Sequence, residues 1–129
     1  MPRTDQIFIG RRGEFLAAYY LETHGIRTTH VDLPADDLWC DTPRGLVRVQ
    51  VKAASKPIRH GRDRRPLRYC YQFGPNRNIY DGVYIIVALD KMLCLAFKRD
   101  DTIGRTIKIN PDRFTEEAQT ETIRKAFML

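Results

Sequence analysis

The chain has 129 residues and a mass of 15.1 kDa, and its 22 Lys and Arg outnumber its 16 Asp and Glu, which gives a formal net charge of +6. This length fits one domain, so a single domain over residues 1–129 is expected. A hydrophobic fraction of 43% excludes intrinsic disorder, and no apolar run approaches the ~20 residues of a membrane span. The excess of basic residues favours a polyanionic partner.

The cysteines and the N-terminal segment indicate a reducing compartment. The three cysteines are odd in number and form no CxxC pattern, and the first eight residues, MPRTDQIF, lack the apolar core of a signal peptide. A secreted, disulfide-stabilised protein is therefore not expected, and a cytoplasmic location is expected.

The predicted elements run in the order helix, several strands, helix. The first helix is expected from Thr4 to about His24, because Thr4 is a suitable N-cap and Gly25 follows as a stop signal. Strand patterns then occur at 26–31, 37–42, 46–53, 68–73, 82–89, 92–97 and 107–109, with a loop at 55–68 and a helical turn at 76–80. Asn110-Pro111 is expected to start the last helix. This order predicts an α/β fold with a mixed central β-sheet flanked by helices.

The clearest strand, Leu46 to Ala53, separates apolar from polar side chains. Residues two apart share a face, so three valines lie on one side and Gln50 and Lys52 on the other. The turn signal at Pro43 to Gly45 predicts that the preceding strand pairs with this one as a hairpin. With a loop of two or four residues, Asp37 falls opposite Gln50, and both side chains point to the same patch as Lys52. A three-residue loop would require a bulge to restore this alignment.

Glu14 is the fourth member of the predicted site. It lies on one line of the first helix with Ala18 and Leu21, so its carboxylate is expected on or near the face that packs against the sheet. A buried carboxylate is costly unless it is paired or bound to a metal. Carboxylate and amide oxygens suit Mg²⁺ or Mn²⁺, and a lysine beside them could stabilise the charge that develops on a phosphate during hydrolysis.

An aspartate followed by Gln-x-Lys on the next strand, after a helix that carries Gly13-Glu14, resembles the motif of the PD-(D/E)XK nucleases. The resemblance runs from about Gly10 to Lys52 and is strongest to the archaeal Holliday-junction resolvases and the group I intron homing endonucleases. It implies a restriction-endonuclease-like core and an Mg²⁺-dependent endonuclease that could also use Mn²⁺. By the same resemblance, Glu14, Asp37 and Gln50 are the metal ligands, and together with Lys52 they form the catalytic set.

Two departures separate this sequence from the family pattern. The family's Pro-Asp pair is absent, because Pro34 lies three residues before Asp37. Gln50 stands where most members carry an acid, as in the QxK variants of the superfamily, and the lost negative charge predicts weaker metal binding. Asp36 competes with Asp37 for the aspartate position, and Asp37 is preferred because it directly precedes the apolar Leu38.

A second group of residues is predicted to hold DNA. These candidates are basic and lie in the first helix or the presumed loop: Arg11, Arg12, Lys56, Arg59, Arg62, Arg64, Arg65 and Arg68. Phosphate contacts of this kind predict an affinity that falls steeply with salt. Tyr69 and Tyr71 follow the loop and are candidates to stack on bases. Because no sequence-reading motif is visible, recognition of DNA structure is favoured over recognition of a long specific site.

These observations favour a Holliday-junction resolvase, a hydrolase that acts in DNA recombination. Cutting two strands needs two active sites, so a homodimer is expected, with Ile and Val of the late strands or the C-terminal helix at its interface. A homing or restriction-like endonuclease on linear duplex DNA and a catalytically degenerate nucleic-acid-binding module remain as alternatives. The plainest alternative is a solvated sheet face on which Asp37 and Lys52 form a cross-strand charge pair.

Overall fold

The structure, a computed structural model, describes residues 3–59, 61, 65–73, 80–98 and 105–129, with only the backbone of residues 3 and 4. Its elements in chain order are α1 Arg3–Thr23, β1 Arg27–His30, β2 Leu38–Thr42, β3 Gly45–Ala54, β4 Tyr69–Gln72, β5 Val83–Ala88, β6 Leu93–Phe97, β7 Thr106–Ile109, a 3-10 turn Pro111–Arg113, and α2 Glu116–Ala126. Most of the helical turn predicted at 76–80 lies outside the described residues.

Five of the strands form one mixed sheet in the order β1-β2-β3-β5-β6. All neighbours are antiparallel except β3 and β5, which are parallel. The strands β4 and β7 pair with each other in a separate two-stranded sheet, so the edge strand predicted at 107–109 does not join the main sheet. The prediction of a mixed central sheet flanked by helices is confirmed.

The β2–β3 hairpin fixes the alignment on which the predicted site depends. Thr42 pairs with Gly45 across a two-residue loop, and Leu38 pairs with Val49. Continuing this register by one residue places Asp37 opposite Gln50. This is the alignment predicted for a hairpin loop of two residues. Gly45 has a φ of +111°, a conformation that costs a residue with a side chain more than it costs glycine.

Two hydrophobic clusters cover the two faces of the main sheet. The helix α1 packs on the face that carries Val49 and Val51, whereas the small β4–β7 sheet covers the face that carries Tyr84. Tyr69 and Tyr71 belong to this second cluster and are 0% and 2% exposed. Their predicted stacking on DNA bases is therefore wrong, because the β4–β7 sheet packs both rings against the main sheet.

The two α-helices agree with the predicted order, and one start position differs. The helix α2 begins at Glu116, where the Thr115 hydroxyl accepts a hydrogen bond from the backbone N–H of Ala118. Asn110 instead caps the preceding 3-10 turn, since its side chain accepts from the N–H of Asp112. Neither helix within the described ranges is long and apolar enough to cross a membrane.

The edge of the main sheet at β6 is closed by α2. The side chains of Gln119 and Thr122 accept hydrogen bonds of 2.7 and 3.1 Å from the backbone N–H groups of Cys94 and Ala96. Every Ile and Val of β5 is 0–1% exposed, because the neighbouring strands and both clusters cover them. The prediction that these late-strand side chains form a dimer interface is therefore wrong for β5.

Candidate active site

A notch opens in the main sheet where β2 begins. The register pairs β2 with residues 45–49 of β3, so β3 continues past the start of β2 from Gln50 to Ala54. Val51 therefore lies beyond the last residue of β3 that pairs with β2, and its backbone N–H faces the notch. The carboxylate of Asp37 accepts a hydrogen bond from this N–H at 2.8 Å. Asp37 also donates its own backbone N–H to the carbonyl of Val49 at 2.8 Å. The Asp37 side chain is thereby held at the backbone N–H of Val51, the residue between Gln50 and Lys52.

Two half-buried carboxylates, Glu14 and Asp37, lie within electrostatic reach of each other. Burial is the main cause that raises the pKa of Glu14, and the negative charge of Asp37 raises it further, whereas Arg11 lowers it. Burial also raises the pKa of Asp37, although the Val51 N–H and the charge of Lys52 act in the opposite direction. The structure thus brings Glu14 and Lys52 within electrostatic reach of Asp37, and the register places Gln50 beside it.

The chemistry of these donors fits a divalent cation. Glu14 and Asp37 repel each other in a partly buried setting, a charge arrangement that a cation between them would relieve. Within the described part of the chain, no three His, Cys, Asp or Glu side chains cluster closely enough to hold a metal. The third protein donor would therefore be the amide oxygen of Gln50. An oxygen-only set of this kind suits Mg²⁺ and Mn²⁺.

The neighbouring Asp36 has a different role from Asp37. Its buried carboxylate accepts hydrogen bonds from Trp39 at 2.8 Å and Tyr80 at 2.6 Å, and it forms an ion pair with Arg48. Burial alone would raise the pKa of Asp36, but these hydrogen bonds and the Arg48 charge outweigh it and lower the pKa. Because protein donors already occupy Asp36, the structure favours Asp37 over Asp36 as the residue open to a metal.

A glycine sets the depth at which α1 approaches the site strand. Gly13 is buried against β3, and a Cβ atom built there would lie only 2.5 Å from the Cβ of Ala53. This contact is one residue before Glu14 along the helix and one residue after Lys52 along the strand. The missing side chain of Gly13 therefore sets how close Glu14 comes to the notch.

Gly13→Ala is expected to destabilise the protein by about 1–3 kcal/mol, because the added methyl group overpacks the contact with Ala53. The same change should move Glu14 away from the notch and lower activity. Gly10→Ala is the matched control, since a Cβ there meets nothing within 4 Å, and it should stabilise the helix by about 0.5–1 kcal/mol. Urea unfolding measures the stability of both variants. Adding Ala53→Gly to Gly13→Ala should restore the stability of the wild-type protein. Equal stability of the two alanine variants would contradict this role.

The described basic candidates lie at the surface, on α1 and in the segment that follows β3. Arg11 and Arg12 are exposed on α1, one turn or less before Glu14. The segment after β3 is closed at its base by two hydrogen bonds of 2.9 Å between the backbones of Ile58 and Arg68. Most of the remaining candidates are exposed in this segment, which we name the basic loop and which carries Lys56, Arg59, Arg65 and Arg68. Arg62 and Arg64, also predicted to bind DNA, lie outside the described residues.

Part of the basic loop uses its arginines for its own structure. The Arg59 guanidinium donates to the carbonyl of Arg65 at 2.6 Å, and the Arg68 guanidinium donates to the carbonyl of Leu67 at 2.7 Å. A guanidinium carries five N–H donors, so each still has donors for a phosphate. Because β3 leads directly into the basic loop, the charges of this loop lie at the end of the sheet that carries the notch.

Neutralising either carboxylate is expected to stabilise the metal-free protein near neutral pH. The pKa values of Glu14 and Asp37 are raised above 4.5 and 3.8, so the folded chain binds these protons more tightly than the unfolded chain does. Stability therefore falls as pH rises from those ordinary values through the raised folded values. Glu14→Gln and Asp37→Asn should each raise Tm in chelator by about 2 °C, and the gain should vanish in mild acid. A lower Tm for both would contradict the mutual repulsion.

Comparisons with known proteins establish the fold. No protein-family model matches the sequence, and no curated protein matches it. The structure is similar to that of a bacterial homing endonuclease, I-Ssp6803I, with a TM-score of 0.68 and 19% sequence identity. The match covers 98% of this chain and 95% of that chain. At this level of identity the similarity confirms the predicted fold class, and the roles of individual residues rest on the geometry of the notch.

Proposed function

We propose that this protein is a metal-dependent endodeoxyribonuclease that hydrolyses phosphodiester bonds in DNA. The observation that carries the proposal is the anchored carboxylate of Asp37, which is held on the Val51 N–H, faces the repelling charge of Glu14, and lies near Lys52. A cross-strand charge pair on a solvated face does not account for this arrangement, because it leaves Glu14 half-buried beside a like charge.

The proposed roles follow from the donor chemistry. Glu14, Asp37 and Gln50 would hold Mg²⁺ or Mn²⁺, and the bound ion would supply a positive charge that polarises the scissile phosphate and offsets its negative charge. The ammonium of Lys52 would stabilise the charge that builds up on the phosphate oxygens as a water attacks. Hydrolysis joins the oxygen of that water to phosphorus and breaks the bond to one ester oxygen, which leaves as a hydroxyl group.

The basic surface supports DNA as the polyanion. Arg11 and Arg12 are exposed on α1 within three residues of Glu14, and the basic loop leaves β3 at the end of the sheet that carries the notch. The net charge of +6 favours association with a phosphate backbone in the same way. Contacts of this kind position the duplex and leave the sequence unread, so they support DNA binding without defining the cleavage site.

Two DNA substrates are supported by different observations. The similarity of the whole chain to a homing endonuclease favours a linear duplex with a preferred site. The lack of a sequence-reading motif, together with the motif resemblance to junction resolvases, favours a four-way junction. In either case one notch cuts one strand at a time, so the proposal includes a homodimer for paired cuts.

One assay tests the proposed function and separates these substrates. Purified protein is offered a four-way junction and a pool of linear duplexes with Mg²⁺, with Mn²⁺ and with chelator. Metal-dependent symmetric cuts in the junction support a resolvase, and cuts at a preferred site in linear DNA support a homing or restriction-like enzyme. Binding with no cleavage under any metal condition would overturn the nuclease proposal and leave a nucleic-acid-binding module.

A further inference from the structure

We infer that Asp36 is a positioning residue that fixes Asp37 for metal binding and keeps Arg48 out of the metal site, an inference that rests on the proposed function. Asp36 and its three partners, Trp39, Arg48 and Tyr80, are named the Asp36 cluster. This cluster lies one residue from the proposed ligand and touches neither Glu14 nor Lys52 through any described hydrogen bond or ion pair.

The contacts of the Asp36 cluster are short and occupy both carboxylate oxygens. The Tyr80 hydroxyl donates to Oδ1 at 2.6 Å, and the Trp39 indole donates to Oδ2 at 2.8 Å. The Nε of Arg48 lies 3.2 Å from each oxygen. Asp36 is only 6% exposed, and hydrogen bonds to a buried carboxylate are stronger than those at the surface.

These partners tie the residue before β2 to β2 itself, to β3 and to the segment that leads into β5. Trp39 lies on β2, its cross-strand partner Arg48 lies on β3, and Tyr80 lies just before β5. A carboxylate held from three directions fixes the backbone that follows it. The next residue, Asp37, can therefore keep its carboxylate on the Val51 N–H.

The Asp36 cluster also restrains a cation beside the proposed metal site. Arg48 shares a face of β3 with Gln50, two residues further along. Its guanidinium is held by Asp36, lies 5.1 Å from the centre of the Tyr80 ring, and approaches the exposed Asp81 at 3.2 Å. Without Asp36, the exposed Asp81 and the Tyr80 ring would be its remaining partners, and we expect part of this charge to pair with Asp37 and compete there with a divalent cation.

The test compares the Mn²⁺ affinity of Asp36→Asn with that of the wild-type protein. Free Mn²⁺ is followed by electron paramagnetic resonance well below Tm, and cleavage is followed as a function of Mn²⁺ concentration. Asp36→Asn keeps the shape of the side chain, removes its charge, and is expected to weaken Mn²⁺ binding about tenfold. Asp36→Asn/Arg48→Gln should recover part of that loss. DNA affinity in chelator should stay within about twofold, because the proposed phosphate contacts are untouched.

Controls separate positioning from stability. Asp41→Asn makes the same change at an exposed position of β2 and should leave Mn²⁺ affinity unchanged. Tyr80→Phe removes one hydrogen bond and should weaken Mn²⁺ binding about threefold, which keeps the test decisive if Asp36→Asn does not fold. Unchanged Mn²⁺ affinity in the folded Asp36 and Tyr80 variants, even with a lower Tm, would overturn the inference.

The outcomes also separate this inference from the proposed function. If the wild-type protein binds Mn²⁺ and cuts no DNA, the nuclease proposal fails, and the affinities of the variants still decide the role of Asp36. If the wild-type protein cuts DNA and the Asp36 variant matches it at every Mn²⁺ concentration, the role of Asp36 alone is overturned. A wild-type chain that binds no Mn²⁺ would overturn both.

Discussion

Lys52→Ala is expected to lower the rate of DNA cleavage by about 100- to 1,000-fold while leaving DNA bound. Lys52 follows Val51, whose N–H anchors the Asp37 carboxylate, and its charge is close enough to lower the pKa of Asp37. In its proposed role, the ammonium of Lys52 would stabilise charge that develops only during hydrolysis, so its loss should lower the rate of the chemical step. Single-turnover rates at saturating metal measure cleavage, and DNA affinity in chelator measures binding.

Lys56→Ala is the matched control for this change. Lys56 is an exposed lysine four residues further along the chain, in the basic loop, and its proposed role is to contact phosphate. Its loss should weaken DNA binding and make the plot of log affinity against log salt concentration shallower by about one unit of slope, as expected for one lost phosphate contact. The single-turnover rate at saturating protein should be unchanged. Normal cleavage by Lys52→Ala, or an equal loss of rate in both variants, would contradict the assigned role of Lys52.

Asp37→Asn is expected to weaken Mn²⁺ binding by at least about 100-fold and to abolish cleavage at ordinary metal concentrations. Direct ligands contribute more than the outer partners of a metal site, whose loss costs about 10- to 100-fold in affinity. Asparagine keeps an oxygen that can accept from the Val51 N–H, so the variant should remain folded. Calorimetric titration with Mn²⁺ measures the affinity, and circular dichroism checks the fold.

The matched control is Asp32→Asn, which removes an exposed carboxylate that still contributes to the negative potential at Glu14. It should change Mn²⁺ affinity by less than about threefold, because a distant surface charge is screened by solvent and salt. An Asp37→Asn variant that binds Mn²⁺ as well as Asp32→Asn does would show that Asp37 is not a ligand.

The hairpin at the centre of the site could be predicted from the sequence because its determinants are local. Alternation along β3 defines its two faces, and the turn signal before it predicts a hairpin. The sequence left the loop length open, and the two-residue loop of the structure is one of the two lengths that align Asp37 with Gln50. The position of Glu14 near the sheet follows in the same way from helical spacing within α1.

The features that sequence reasoning missed depend on contacts between distant segments. Tyr80 lies 44 residues from Asp36 along the chain, so no local pattern pairs their side chains. Burial of Tyr69 depends on β4 pairing with β7 across a long intervening stretch, and the sequence alone offers no register for two such short strands. The choice between Asp36 and Asp37 rested on one apolar neighbour, whereas the hydrogen-bond partners of Asp36 now distinguish the two carboxylates.

The position of a bound metal ion is the decisive observation for the proposed site. Crystals of the protein soaked in Mn²⁺ and measured at the manganese absorption edge locate the ion by its anomalous signal. We expect a peak in the notch at the start of β2, with oxygens of Asp37 and of Glu14 or Gln50 in its coordination shell. A fully occupied manganese peak elsewhere in the molecule, with the notch empty at the same Mn²⁺ concentration, would contradict it.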